Sequence, residues 1–96
     1  MRLSGFWMKI KCAAILYRGR VYEGRSHPEI GHKMLKDGVC PRPFPGGKNQ
    51  GFVVESGDFV GREVARIIAI ESGQLKEDEI DHPTELFSED LNRRGD

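Results

Sequence analysis

The sequence predicts an α+β domain, a small antiparallel sheet with two helices packed on one face. Two observations carry this. Extended segments are broken by glycine-bearing turns at Arg18-Gly19-Arg20 and Ser56-Gly57-Asp58. Each extended region then leads into a stretch with helical start signals or helical spacing.

Residues 9–17 predict the first strand: Ile10, Cys12, Ala14 and Leu16 alternate with Lys9, Lys11, Ala13, Ile15 and Tyr17. Gly19 can take the positive φ of a tight hairpin, and Val21-Tyr22-Glu23 returns as a second strand. Ser26-His27-Pro28-Glu29 is a helix start, with Ser26 as N-cap, Glu29 completing a capping box and Pro28 in the first turn. Ile30, Met34 and Leu35 form the stripe that helix buries, and Asp37-Gly38 ends it. Residues 39–50 carry Pro41, Pro43 and Pro45, which exclude a helix or a central strand, so this is a long loop. Residues 51–55 form a strand, and Phe59-Val60 resumes an extended path after the turn at 56–58. The clearest helix runs from Arg62 to about Glu71, with Val64, Ile67, Ile68 and Glu71 at helical spacing beside Ala65 and Ala69. Residues 75–85 are acidic and irregular, Leu86-Phe87-Ser88 suggests a short strand, and residues 1–7 and 92–96 are candidates for disorder. The whole of 1–96 is one domain.

Composition narrows the function. Fifteen Lys+Arg balance fifteen Asp+Glu in 96 residues. A neutral chain is not a general DNA or RNA coat, whose binding face makes the domain basic. A small anionic ligand needs only two or three cations in one pocket. No apolar run reaches the about 20 residues of a membrane span, and two cysteines do not make a secreted disulfide framework. A cytoplasmic protein that does not engage membranes is the expectation.

No metal set is legible. His27 and His32 are separated by about 140° on a helix, and no Cys-x-x-Cys pair exists. No catalytic constellation and no cofactor motif emerges, and the expectation is a protein that is not an enzyme. Gly46-Gly47-Lys48 lacks P-loop spacing. What remains is Gly61 opening a helix whose first turn has unpaired N–H groups, with Arg62 and Arg66 on one face. That arrangement suits a phosphate. The competing reading pairs these arginines with Glu63, Asp58 or Glu55 on the surface. Phe52, Phe59, Tyr17 and Tyr22 offer faces for a nucleobase or, more simply, core.

The ordered set Lys9–Ile15, Gly24–Ile30, Gln50–Val53, Gly57–Ala65, Ser72-Gly73-Gln74 and Leu86–Leu91 resembles a group of small bacteriophage proteins. Members of that group sequester the cyclic-nucleotide immune signals of CBASS defence. The resemblance implies a phage protein that binds a cyclic dinucleotide or related nucleotide without cleaving it, inside the infected bacterial cell. Within its motifs the residues carrying suitable chemistry are Arg25, His27, Phe59, Arg62 and Ser88. His27 follows an N-cap, where the helix dipole favours a neutral imidazole. The proline-rich 39–50 loop and the acidic 75–85 segment depart from the pattern and bear on which nucleotide fits. An inhibitor of a host defence enzyme acting by protein contact, like an anti-CRISPR, is the alternative, and a small hydrolase of the signal a third.

A chain this short buries only about 60–65% of its unfolded surface, so an interface between copies would add burial that a monomer lacks. A homo-oligomer, dimer or hexamer, is therefore expected. Light scattering that shows a stable 10.8 kDa species at micromolar concentration would overturn it.

Overall fold

The computed structural model describes residues 9–39 and 49–94. The elements are β1 (Ile10–Tyr17), β2 (Arg20–Gly24), α1 (His27–Lys36), β3 (Gln50–Val54), β4 (Phe59–Gly61), α2 (Arg62–Glu71), a 3₁₀ turn (Glu77–Glu79) and α3 (Ser88–Arg94). The sheet is antiparallel throughout, in the order β2-β1-β3-β4. The first hairpin turns through Arg18 and Gly19, both at positive φ.

Register decides which face is covered. Ala13 lies opposite Phe52, Ile10 opposite Val54, and Val60 opposite Phe52. These residues and Ile15 point to one face, where α1 supplies Ile30 and Met34 and α2 supplies Ala65, Ile68 and Ala69. The two helices thus pack on one face of the sheet, as the α+β reading expects. Phe52, fully buried, is the largest side chain of this core. On the other face Ala14 and Val53 are also buried.

The expectations for β1, α1 and α2 are corrected. The alternation expected in β1 put Ile10, Cys12 and Ala14 on one face. A bulge between Ile10 and Cys12 resets it, so Ile10, Ala13 and Ile15 face the helices. The Gln74 side chain holds this irregular point like an added strand, since its Oε1 accepts the Ile10 N–H at 2.7 Å and its Nε2 donates to the Ile10 carbonyl at 2.9 Å. In the helices the stripe is narrower than expected. Leu35 is exposed on α1, as are Val64 and Ile67 on α2, because α2 turns its alanine side to the sheet and packs closely there.

The C-terminal third is more regular than its composition suggests. Leu75, Ile80 and Leu86 are buried in the core, and each such burial contributes about 1.5–3 kcal/mol. The imidazole of His82 organises the acidic segment, with Nδ1 accepting the N–H groups of Thr84 and Glu85, both at 3.1 Å. Residues 86–88 do not form a strand. The Leu86 N–H donates to the Arg62 carbonyl, and Ser88 begins a helix that runs through 92–94. Residues 1–7, the 40–48 part of the proline-rich loop and residues 95–96 lie outside the described residues. No helix among the described residues is long and apolar enough to cross a membrane.

Gly51 is where the sheet is tightest. A Cβ there would collide with the Val60 carbonyl and approach the Phe59 ring to 2.7 Å. The carbonyl is backbone of a paired strand and cannot yield without loss of the ladder. Gly51→Ala should therefore destabilise by about 3 kcal/mol, near the top of the overpacking range, measured by urea unfolding.

Candidate ligand pocket

The described residues bring the beginnings of α1, β3, α2 and α3 together at one edge of the sheet. Between them is a pocket of about 270 Å³ lined by His27, Pro28, Gln50, Arg62, Phe87, Ser88 and Glu89. A larger depression of about 570 Å³ runs along the outer side of α1, but Pro28, Glu29, His32, Lys33, Lys36 and Asp37 around it are all exposed. Among the described residues nothing holds those side chains in one arrangement, so the smaller pocket is the better candidate.

Arg62 is the centre of that pocket. Its Nη2 donates to Gln50 Oε1, and its guanidinium lies over the Phe87 ring, 4.6 Å from the centroid. Its Nε is buried and has no hydrogen-bond partner among the described residues. Gly61, the N-cap of α2, provides no side-chain bond to the first turn. A planar, preorganised cation thus stands at an uncapped helix start, which is favourable for an anion.

His27 supports the pocket from beneath. The imidazole is buried, its Nε2 donates to the Gly51 carbonyl at 2.8 Å, and its edge meets the Phe52 ring at 5.3 Å. Its backbone N–H lies 3.4 Å from Ser88 Oγ, while the Glu29 N–H donates to Ser26 Oγ at 3.2 Å. Two serines, one local and one from α3, therefore cap α1. Burial pushes the His27 imidazole below its usual value of 6.5; the Gly51 carbonyl opposes that shift and nearby Arg62 adds to it.

Of the residues singled out from sequence, the structure brings His27, Arg62 and Ser88 to this pocket and leaves Arg25 and Phe59 away from it. Arg25 is exposed, and its carbonyl accepts from Asn92 Nδ2 at 3.1 Å. Phe59 pairs with Val53 and lies across Gly51 on the opposite face of the sheet. Arg66 does not join Arg62. Its Nε donates to the His82 carbonyl at 3.1 Å, and its Nη2 is 3.8 Å from Glu77. Gln50, Phe87 and Glu89 were missed as site residues. Gln50 and Phe87 stood inside recognisable motifs, but nothing local announced that they bracket Arg62. Cys12 is half-buried, and burial raises its thiol above the usual 9.0; Cys40 is outside the described residues. Among the described residues no group of three or more His, Cys, Asp or Glu is placed to hold a metal.

The motif residues that meet at this pocket and staple the chain around it span nearly the whole sequence. A family model, described as phage T4 y16D protein, matches residues 9–92. The chain belongs to this bacteriophage family. The match runs from β1 into α3 and so includes every residue that lines the pocket. No curated protein and no solved structure matches the chain significantly.

The depressed His27 value fixes the sign of a pH effect. Folding favours the neutral ring, so its contribution is fully present above 6.5 and is lost as pH falls from there through the folded value. The melting temperature should drop as pH falls below about 6.5. His27→Gln, less stable at the higher pH, should lose much of that slope. An unchanged slope in the variant would assign the effect to other groups.

Proposed function

We propose that this phage protein binds and sequesters a cyclic dinucleotide or related nucleotide immune signal, without cleaving it, in the cytoplasm of the infected cell. The observation that carries the reading is Arg62, held between Gln50 and Phe87 at the wall of the pocket, with a buried Nε that has no acceptor among the described residues. The guanidinium that lines the pocket would pair with a phosphate oxygen there, and the start of α2 adds its N–H groups.

Binding rather than hydrolysis suits the same geometry. The imidazole of His27 is spent on the Gly51 carbonyl, and the Ser88 oxygen faces the backbone of His27. A hydrolase using either of them would need it aimed at a scissile bond. The pocket is below the about 300–1,000 Å³ of sites that enclose a whole ligand. A cyclic dinucleotide would therefore be anchored here by one phosphate and extend outside, where a second copy of the chain could cover it. Inhibition of a host enzyme by protein contact is the second reading; the exposed Val64 and Ile67 on α2 favour it, since they offer an apolar strip to a partner.

The test is to equilibrate the purified protein with a panel of cyclic dinucleotides, remove free ligand, denature the protein and identify what is released. Intact nucleotide is the expected result. Converted nucleotide would mean an enzyme, and none retained would favour a protein partner. Calorimetric titration should show Arg62→Lys losing roughly tenfold in affinity and Arg62→Ala more, in line with about 1.5–3 kcal/mol for a charge-assisted bond. Wild-type affinity in folded Arg62→Ala would end the assignment.

A further inference from the structure

The pocket is not simply cationic. Glu89, in the first turn of α3, lines it together with Arg62. No ion pair joins the two among the described residues, so the carboxylate does not neutralise the guanidinium by direct contact. Nor is Glu89 needed as the cap of its helix, because the neighbouring Asp90 accepts the Phe87 N–H at 3.0 Å. His27, buried and held neutral, adds no charge. The wall therefore presents one fixed cation and one carboxylate.

A bare phosphate meets that carboxylate at a cost in repulsion. A ligand that places hydrogen-bond donors beside its anion turns the same carboxylate into an attraction, because an ionised carboxylate only accepts. The volume limits how far away those donors can be. At about 270 Å³ the pocket is below the usual range for a complete small ligand, so the donor must belong to the unit directly attached to the phosphate. In a nucleotide that unit is the ribose, and its hydroxyl donates to a carboxylate in the manner familiar from dinucleotide sites.

We infer that Glu89 is a specificity residue that accepts the ribose 2′-hydroxyl next to a phosphate held by Arg62, so the pocket recognises a ribose 3′-phosphate unit and leaves the base outside. The inference rests on the ligand-binding reading of this pocket. It goes further in naming the part of the ligand that is read and in making the base unimportant to this contact. The pairing is non-covalent; no bond is made or broken.

The probes are adenosine 3′-monophosphate, guanosine 3′-monophosphate and 2′-deoxyadenosine 3′-monophosphate, titrated into the full chain. The two ribonucleotides should bind within about twofold of each other. The deoxynucleotide should bind roughly tenfold more weakly, the worth of one hydrogen bond to a charged group at an open site. In Glu89→Gln the ribose preference should shrink to about twofold or less, while the deoxynucleotide binds as well as before or better. Glu89 is exposed, so this variant is expected to fold. A Glu89 that merely favours the start of α3 would change the melting temperature and leave the ribose-to-deoxyribose ratio alone. Equal binding of the ribose and deoxyribose probes by the wild type, no binding of any of them at millimolar concentration, or an undiminished preference in Glu89→Gln overturns the inference. Should the monophosphates show the preference while no cyclic dinucleotide is retained, the inference stands and the proposed signal is wrong. The reverse result removes the inference alone.

Discussion

The arrangement around the pocket depends on the missing side chain of Gly51. Its neighbours on β4 come so close that no Cβ fits between them and the strand. That close approach brings Gly61, directly opposite Gly51, and hence the first residue of α2, to the edge where β3 begins. The Gly51 carbonyl takes the Nε2 proton of His27 and so fixes the start of α1 against the same strand. Gln50, one residue earlier, holds the Arg62 guanidinium. Three elements are positioned by two consecutive residues of one strand. Any change that widened the β3–β4 spacing would move the cation, its amide partner and the imidazole relative to one another.

The sequence was legible where structure is local. The hairpin at Arg18-Gly19, the Ser26 cap and the limits of α2 depend on residues within a turn or two of each other. Their signals therefore lie in short windows. The parts that escaped depend on partners far along the chain. The bulge in β1 is held by Gln74, and α1 is capped by Ser88, more than 60 residues away. The helix at 88–94 is the exception: Asp90 reaching back to Phe87 is a local signal, but the Leu86-Phe87 pair beside it reads equally well as a strand. The site shows the same division. Arg62 was recognisable as a cation at a helix start, and His27 and Ser88 shared its motifs. Phe59 was selected for its aromatic ring and its nearness in sequence to Arg62. A strand alternates faces, however, and the register that puts Phe59 opposite Val53 turns it away from the pocket.

The motif Gln50-Gly51-Phe52-Val53 illustrates how one short string can serve both fold and site. Phe52 and Val53 point to opposite faces and are both buried. Gly51 permits the close crossing, and Gln50 supplies the side chain that meets Arg62. Read for function alone, Gln50 is an unremarkable amide and Gly51 only a flexible position. Their roles appear once the strand is seen to pass between an imidazole, a guanidinium and a neighbouring backbone.

On the proposed reading, Arg62 is the means by which a neutral protein would attract an anion. With equal numbers of acidic and basic residues the chain carries no net charge, so recognition would have to come from contacts within the pocket. Those contacts are prepared in advance. Stacking on Phe87 and bonding to Gln50 restrict the guanidinium before any ligand arrives, which lowers the entropy lost on binding. The arrangement has a cost, because a buried donor without an acceptor is worth about 1–3 kcal/mol of lost stability. In the free protein that cost is borne by Arg62 Nε. In the proposed complex a phosphate would meet the part of the guanidinium that lines the pocket. Neutral His27 makes this possible. A second positive charge under the guanidinium would push Arg62 out toward solvent, whereas a buried neutral ring, committed to the Gly51 carbonyl, lets it stay where the phosphate would meet it.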